Sequence, residues 1–466
     1  MKKFRLAAIA LAVAGLGACA PSGGPSVGTL ASSTPGQTTV AGRAVGLSDT
    51  LPRMRSFRAA AAPAPARPNA EIAADFLDLA FRMESGRAVP VMTRFEGPIG
   101  VRVDGALGPA SMADLEGLIS RLRREAGIDI FLTRNPDAAI TVVAIPKAQL
   151  HRAVPGAACF VVPRVSSWAE FRRARRSGAL DWTTLTRRDR AAIFIPADAA
   201  PQEIRDCMHE ELAQALGPLN DLYRLPDSVF NDDNIHAVLT GFDMLVLRAY
   251  YDPALRNGMT RGEVAVRLPA ILARLNPAGE RGVARPRNDT SRDWVVAIET
   301  ALTGSNAPGA RRQAAERAVN LSRAFAWDGP RRGFAHYAYG RLQVGYAPDL
   351  ALAAFREAYR TYASDPDTAL HAAHVAVQIA AFTLSSGDAA GTIEIVDRAL
   401  PVAARHQNAA LMATLMMFKA EALELQGRGE EAQVVRLDSL GWARYGFGSD
   451  EAVRARLREV QALSPI

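Results

Sequence analysis

Three apolar runs, Ala139–Ile145, Ala157–Val165 and Ala191–Pro196, constrain this chain more than any other feature. Apolar stretches of that length, bounded by turn-forming residues, read as strands buried in a sheet. The apolar stretch Leu239–Tyr250 that follows them reads as a core helix. Beyond about residue 290 the pattern is helical almost throughout, with alanine at the tight positions. The sheet must therefore be built in the first half. The expected architecture is an α+β unit over residues 69–280, then an all-α unit over 290–466. A polar stretch from Gly279 to Ser291 lies between them.

Local signals fill in the first unit. Ile72, Phe76, Leu79, Ala80 and Met83 share one helical face. Arg94–Val103 reads as a strand pair broken at Gly97-Pro98. Ser111 with Asp114 resembles a capping box, ahead of the stripe Leu115, Leu118, Ile119 and Leu122. After the third apolar run, Pro201 opens a helix that Gly217-Pro218 stops near Leu216.

The N-terminus reads as an address. Met1–Arg5 is basic, and Leu6–Gly17 is apolar but too short to span a bilayer. Leu16-Gly17-Ala18-Cys19 then has the Leu-small-small-Cys pattern of a bacterial lipoprotein signal. Residues 1–18 are expected to be the signal peptide, with Cys19 lipidated. Acyl chains there would anchor the protein to a membrane. Ala20 in place of aspartate points to the outer membrane, with the body facing the periplasm. Residues 19–68 are rich in Pro, Ala, Gly, Ser and Thr and read as a disordered tether.

The net charge is +7, and the first five residues supply three of those charges, leaving +4. The longest basic cluster, Arg172-Arg173-Ala174-Arg175-Arg176, is followed by Arg187-Arg188. It has no glycine or aromatic interleaving and reads as a solvated face. Nucleic acid is not an expected partner. With Cys19 lipidated, two cysteines remain, Cys159 and Cys207. In an oxidising compartment they can bridge, pinning the Pro201 helix to a strand; two separately buried thiols are the alternative.

That helix carries the chemistry. His209-Glu210 would begin a His-Glu-x-x-His zinc motif, but position 213 is alanine. Shifted by one residue, the frame His-Glu-x-x-His-x-x-Gly-x-x-x-Asp overlays Glu210 through Asp221. It places Glu211 as general base, with Glu210, Gln214 and Asp221 at the ligand positions. Both histidines of that frame are replaced. No cofactor is therefore expected, with zinc as the alternative. His236 with Asp243 is a further candidate pair, and His371 and His374 lie three apart on one helix.

Cys207-x-x-Glu-Glu-Leu-Ala-Gln-Ala-Leu-Gly-x-x-Asn-Asp221, Ser228-Val-Phe-Asn-Asp232, Leu239-Thr-Gly-Phe-Asp243 and Tyr251-Asp-Pro-Ala-Leu-x-x-Gly258-Met259 together resemble an uncharacterised bacterial family. It is the domain-of-unknown-function family 2927, found in exported proteins and lipoproteins. The resemblance covers roughly residues 70–275. That family is similar to the zincin metallopeptidases in helix motif and strand order, so a zincin-like fold is implied. In the second half, Ala351-Leu-x-x-Phe355-x-x-Ala358-Tyr359 resembles the second helix of a tetratricopeptide repeat. The frame returns at Thr392 and Ala432, with Gly387-Asp388 and Gly427-Arg428-Gly429 as turns. Such an array offers a face for a protein or peptide partner. The expected role is binding or scaffolding at the cell envelope. The alternative is a metal-dependent peptidase or other periplasmic hydrolase with Glu211 as base.

Overall fold

The computed structural model describes residues 51–58, 61–284 and 288–465. The signal segment and Cys19 lie outside the described residues. The first unit runs α1 (Asn69–Phe81), β1 (Ile99–Asp104), α2 (Pro109–Glu125), β2 (Ile130–Leu132), β3 (Ile140–Ile145), α3 (Lys147–Ala153), β4 (Phe160–Pro163), α4 (Trp168–Ala174), β5 (Ala191–Pro196), α5 (Pro201–Leu216), α6 (Gly241–Tyr250) and α7 (Arg261–Leu275).

The strands form one five-stranded sheet in the order β2-β1-β3-β5-β4. Only the β4–β5 pairing is antiparallel; the other three are parallel. The connectivity is therefore that of crossover units with helices on both faces, more interleaved than the segregated α+β arrangement expected. β5 shows why its sequence is apolar throughout. Ile193 and Ile195 join Ile204, Met208 and Leu212 of α5 in the main core. Ala192 and Phe194 point the other way, into a second cluster with Phe171 of α4. Two further expectations are corrected. Arg94–Val103 yields one strand, β1. Ser111 lies inside α2, which starts with Pro109 after Gly108, so there is no capping box.

The second unit is all-helical: α8 (Arg292–Leu302), α9 (Pro308–Ala324), α10 (Pro330–Gln343), α11 (Pro348–Ala363), α12 (Ala369–Ser385), α13 (Ala389–Arg405), α14 (Ala409–Leu425), α15 (Gly429–Phe447) and α16 (Asp450–Gln461). From α8 to α15 each helix packs on the next. Gly387 and Gly427 turn the chain between α12 and α13 and between α14 and α15, at φ +82° and +74°.

Packing also reaches upstream of the expected boundary at residue 69. Arg55 N–H donates to Gly441 O (3.0 Å), and its guanidinium pairs with Asp438. The Phe57 ring lies 4.6 Å from that of Trp442. Arg67 is buried against Asp75 (2.6 Å) and lies 4.1 Å from the Phe242 ring. The end of the expected tether is thus a strap laid across α15 and the first unit.

The two units share a polar seam. Gln202 Nε2 donates to Asn408 Oδ1 (3.1 Å), and Arg205 Nη2 to Gln407 O (2.6 Å). The Tyr445 hydroxyl donates to Asp114 (2.6 Å). Four histidines gather beside this seam. His236 lies 5.7 Å from His371 and 5.4 Å from His406, ring to ring. His374 Nε2 lies 3.4 Å from Asn408 Nδ2, and His371 Nε2 is hydrogen-bonded to Asp233 (2.8 Å). Burial holds His236 well below its usual pKa; it takes His374 down to about 3 and His406 to about 4.

A histidine depressed in the folded state contributes stability that is intact above the unfolded value of about 6.5. That stability is lost as pH falls from there toward the folded value. The buried carboxyls Asp206 and Asp232 work in the opposite sense, since burial raises each to about 7. The histidine contribution is therefore best isolated by difference. His374→Gln is expected to lose about 2 kcal/mol less stability than the native chain between pH 7.5 and 5. Urea unfolding at both pH values measures this; equal losses in both proteins would refute it.

Candidate functional site

The sequence of α5 makes it a helix buried almost all round. β4 and β5 cover one side, and α2 and α15 pack on others. Its last turns carry Glu210, Glu211 and Gln214, and the chain then bends at Gly217 toward Asp221. The bend is tight: a Cβ on Gly217 would come within 3.0 Å of the Tyr250 ring. The geometry brings the predicted residues together. Gln214 Nε2 donates to Asp221 Oδ2 at 3.3 Å. Glu210 lies close enough to both Glu211 and Asp221 to push their pKa values up.

Two of these side chains border an open cleft of about 420 Å³. Glu211 and Gln214 lie on its α5 side. Phe160 and Val161 of β4 form one wall, with Trp182 and Glu84 among the other lining residues. Glu211 is 2% exposed, and its Oε2 has no hydrogen-bond partner. Desolvation raises its pKa well above the carboxylate range, reinforced by Glu210 and Glu84. Asp221 is raised in the same way by desolvation, then Glu84, Glu210 and Asp232. Buried like charges cannot all ionise together, so at neutral pH several of these carboxyls hold protons.

A zinc ion needs three or four donors converging at about 2 Å. Among the described residues no three His, Cys, Asp or Glu side chains are grouped to hold a metal. Glu210, Gln214 and Asp221 meet as a hydrogen-bonded and repelling acid group, and the residues present do not fit zinc. Other candidates are placed elsewhere. His209 Nδ1 accepts from Leu239 N–H (3.0 Å). His236 Nε2 bonds Pro226 O, whereas Asp243 caps α6 and accepts from Ser228. His371 and His374 belong to the seam.

The pairing of Cys159 with Cys207 is present, with Cα atoms 5.9 Å apart. It joins the residue before β4 to α5 one turn ahead of Glu211, tying together two sides of the cleft. Two contributors were not read from the sequence. Glu84 follows α1, and Trp182 lies in a short turn before β5; neither carries a local signal. Arg188, read as solvated, is instead buried beneath the site.

β4 is an edge strand. Arg164 N–H donates to Arg190 O, so alternation turns Phe160 and Val162 toward β5 and Val161 outward. Among the described residues no backbone group pairs with Val161 on that side.

Fold and site together define an α/β unit built around one acid-lined cleft and carried on a helical array. Over residues 69–270 the chain matches the family described as protein of unknown function (DUF2927). No curated protein and no solved structure matches the chain.

Proposed function

We propose that this is an exported lipoprotein, held by acylated Cys19 in the outer membrane and facing the periplasm. Its α/β unit binds an extended peptide along the outer edge of β4. The observation that carries this reading is the unpaired Val161 backbone beside an open cleft, since an extended chain can add to such an edge through main-chain hydrogen bonds. The Cys159–Cys207 bridge supports residence in an oxidising compartment. The helical array, read as tetratricopeptide-like, is the scaffold that presents this unit.

One experiment with two arms tests the reading. Full-length protein should incorporate labelled palmitate and sediment with membranes, and Cys19→Ser should do neither. The Cys19→Ser mature protein should then select an extended consensus from phage-displayed random peptides. Val161→Pro, which removes the outward N–H at an edge position, should select none while keeping the native far-UV spectrum, whereas Val161→Ala, which loses the same core packing but keeps that N–H, should still select the consensus. Equal selection by Val161→Pro and its parent would remove the edge from the proposal.

A second reading is a hydrolase in a zincin-like fold with Glu211 as general base. The unpartnered Glu211 Oε2 beside the cleft favours it, as does a mostly parallel sheet ending in an antiparallel edge strand. It requires that a selected peptide be cleaved and that Glu211→Gln leave it intact.

A further inference from the structure

The charge of the cleft narrows what can occupy it. Glu211 contributes a buried carboxyl with one oxygen lacking any partner. Asp221 Oδ1, also buried, has none either. Glu84 shares a hydrogen bond with Asp221 and lies at the exposed mouth. The charges acting most strongly on Glu211 and Asp221 are all carboxylates. The buried arginine beneath, Arg188, is turned away and spent on the carbonyls that end α5. The opposite wall is apolar, with Phe160, Val161 and Trp182.

We infer that the cleft selects an extended peptide carrying a primary amine on an aliphatic stem, a lysine-like side chain. The ammonium sits against Glu211 and Glu84, and the stem lies along Phe160 and Trp182. The inference rests on the cleft reading above and goes beyond it to the class of ligand. An ammonium carries three donors, one of which can reach Glu211 Oε2, an oxygen that otherwise lacks a partner. Charge-assisted bonds of this kind are about twice as strong as neutral ones. Amphipathic lysine stems pack on apolar walls while the charged head reaches its partner. A guanidinium is planar and wider, and the single buried oxygen of Glu211 gives its fork no matching pair.

The test uses the full mature chain with Cys19→Ser and three fluorescein-labelled probes in anisotropy titrations. The probes are acetyl-Ala-Val-Lys-Val-Ala-amide and its norleucine and glutamate counterparts, each titrated with and without EDTA. The lysine probe should bind about tenfold tighter than the norleucine probe, a difference of about 1.4 kcal/mol, and the glutamate probe weakest of all. Glu211→Gln and, independently, the exposed Glu84→Gln should each shrink the lysine preference, with thermal midpoints equal to or above the parent. Equal binding of lysine and norleucine probes would overturn the charge selection and leave the peptide cleft standing. Binding that disappears in EDTA would overturn it in favour of a metal bridge. No binding by any probe would bring down this inference together with the cleft reading.

Discussion

Arg188→Met is expected to destabilise the protein by about 3 kcal/mol and to do so at the foot of the cleft. The reason lies in how α5 ends. The last carbonyls of any helix lack intrahelical partners and carry the negative end of its dipole. Here those carbonyls are buried. Arg188, 4% exposed, reaches them from the segment before β5. Its Nη1 donates to Gln214 O and Ala215 O, both at 2.6 Å, and its Nη2 to Gly217 O at 2.5 Å. Nε bonds Thr93 Oγ1 at 3.3 Å, and the guanidinium lies 4.8 Å from the Trp182 ring. Methionine fills much of the volume and removes the burden of a buried charge, but it leaves three carbonyls without donors. Arg188→Lys keeps the charge and one or two of the bonds, because an ammonium lacks the planar fork, so about half the loss should return. Urea midpoints of the three proteins check the order. A methionine variant within 0.5 kcal/mol of the native chain, a deviation of about the size expected for ordinary surface substitutions, would show that the arginine is not the helix's terminal partner. Because Gln214 bonds Asp221 and Gly217 begins the bend toward it, the same variant should also lose affinity in the peptide assay.

Arg188 also shows where sequence reading stops. In the chain it follows Arg187 and continues a basic run, and nothing local separates the two. Arg187 is exposed on Asp189, whereas its neighbour is buried because its guanidinium reaches the carbonyls that end α5. The same applies to topology. The apolar runs announced β3, β4 and β5, and α5 ends at Leu216 as Gly217-Pro218 implied. The parallel order was not legible, since periodicity reports burial and says nothing of partners. β2 escaped notice because it is three residues long with an exposed Phe131 at its centre. The strap at residues 51–58 escaped because no periodic pattern marks it, and it is held by scattered contacts of Leu51, Pro52, Arg55 and Phe57.

The site was half legible for a related reason. Glu210, Glu211, Gln214 and Asp221 fall within one helix and its exit, so helical spacing alone predicts their proximity. Glu84 reaches the same cluster from a segment far away in sequence, and only the fold could add it. The histidines show the same limit. His371 and His374 are neighbours by spacing, but their clustering with His236 and His406 depends on how the two units meet.

Replacing both Cys159 and Cys207 with alanine is expected to cost about 4 kcal/mol, the chain-entropy value for a loop of this size. The bridge spans 48 residues and acts chiefly by restricting the unfolded chain. Both half-cystines are buried, at 1% exposure each, so the alanines leave only small voids. The loss should thus appear as a lower urea midpoint with the native far-UV spectrum retained. Native protein with reductant should approach the variant's midpoint, and the variant should be indifferent to reductant. Location adds a second consequence. One sulfur precedes the edge strand and the other lies a turn before Glu211, so the bond sets the spacing between the Phe160–Val161 wall and the acid side of the cleft. Peptide affinity should fall in the double variant even at temperatures where it remains folded. A thiol titration decides the matter directly: exported Cys19→Ser protein, denatured without reductant, should show no free thiol, and two would mean that the bridge never forms.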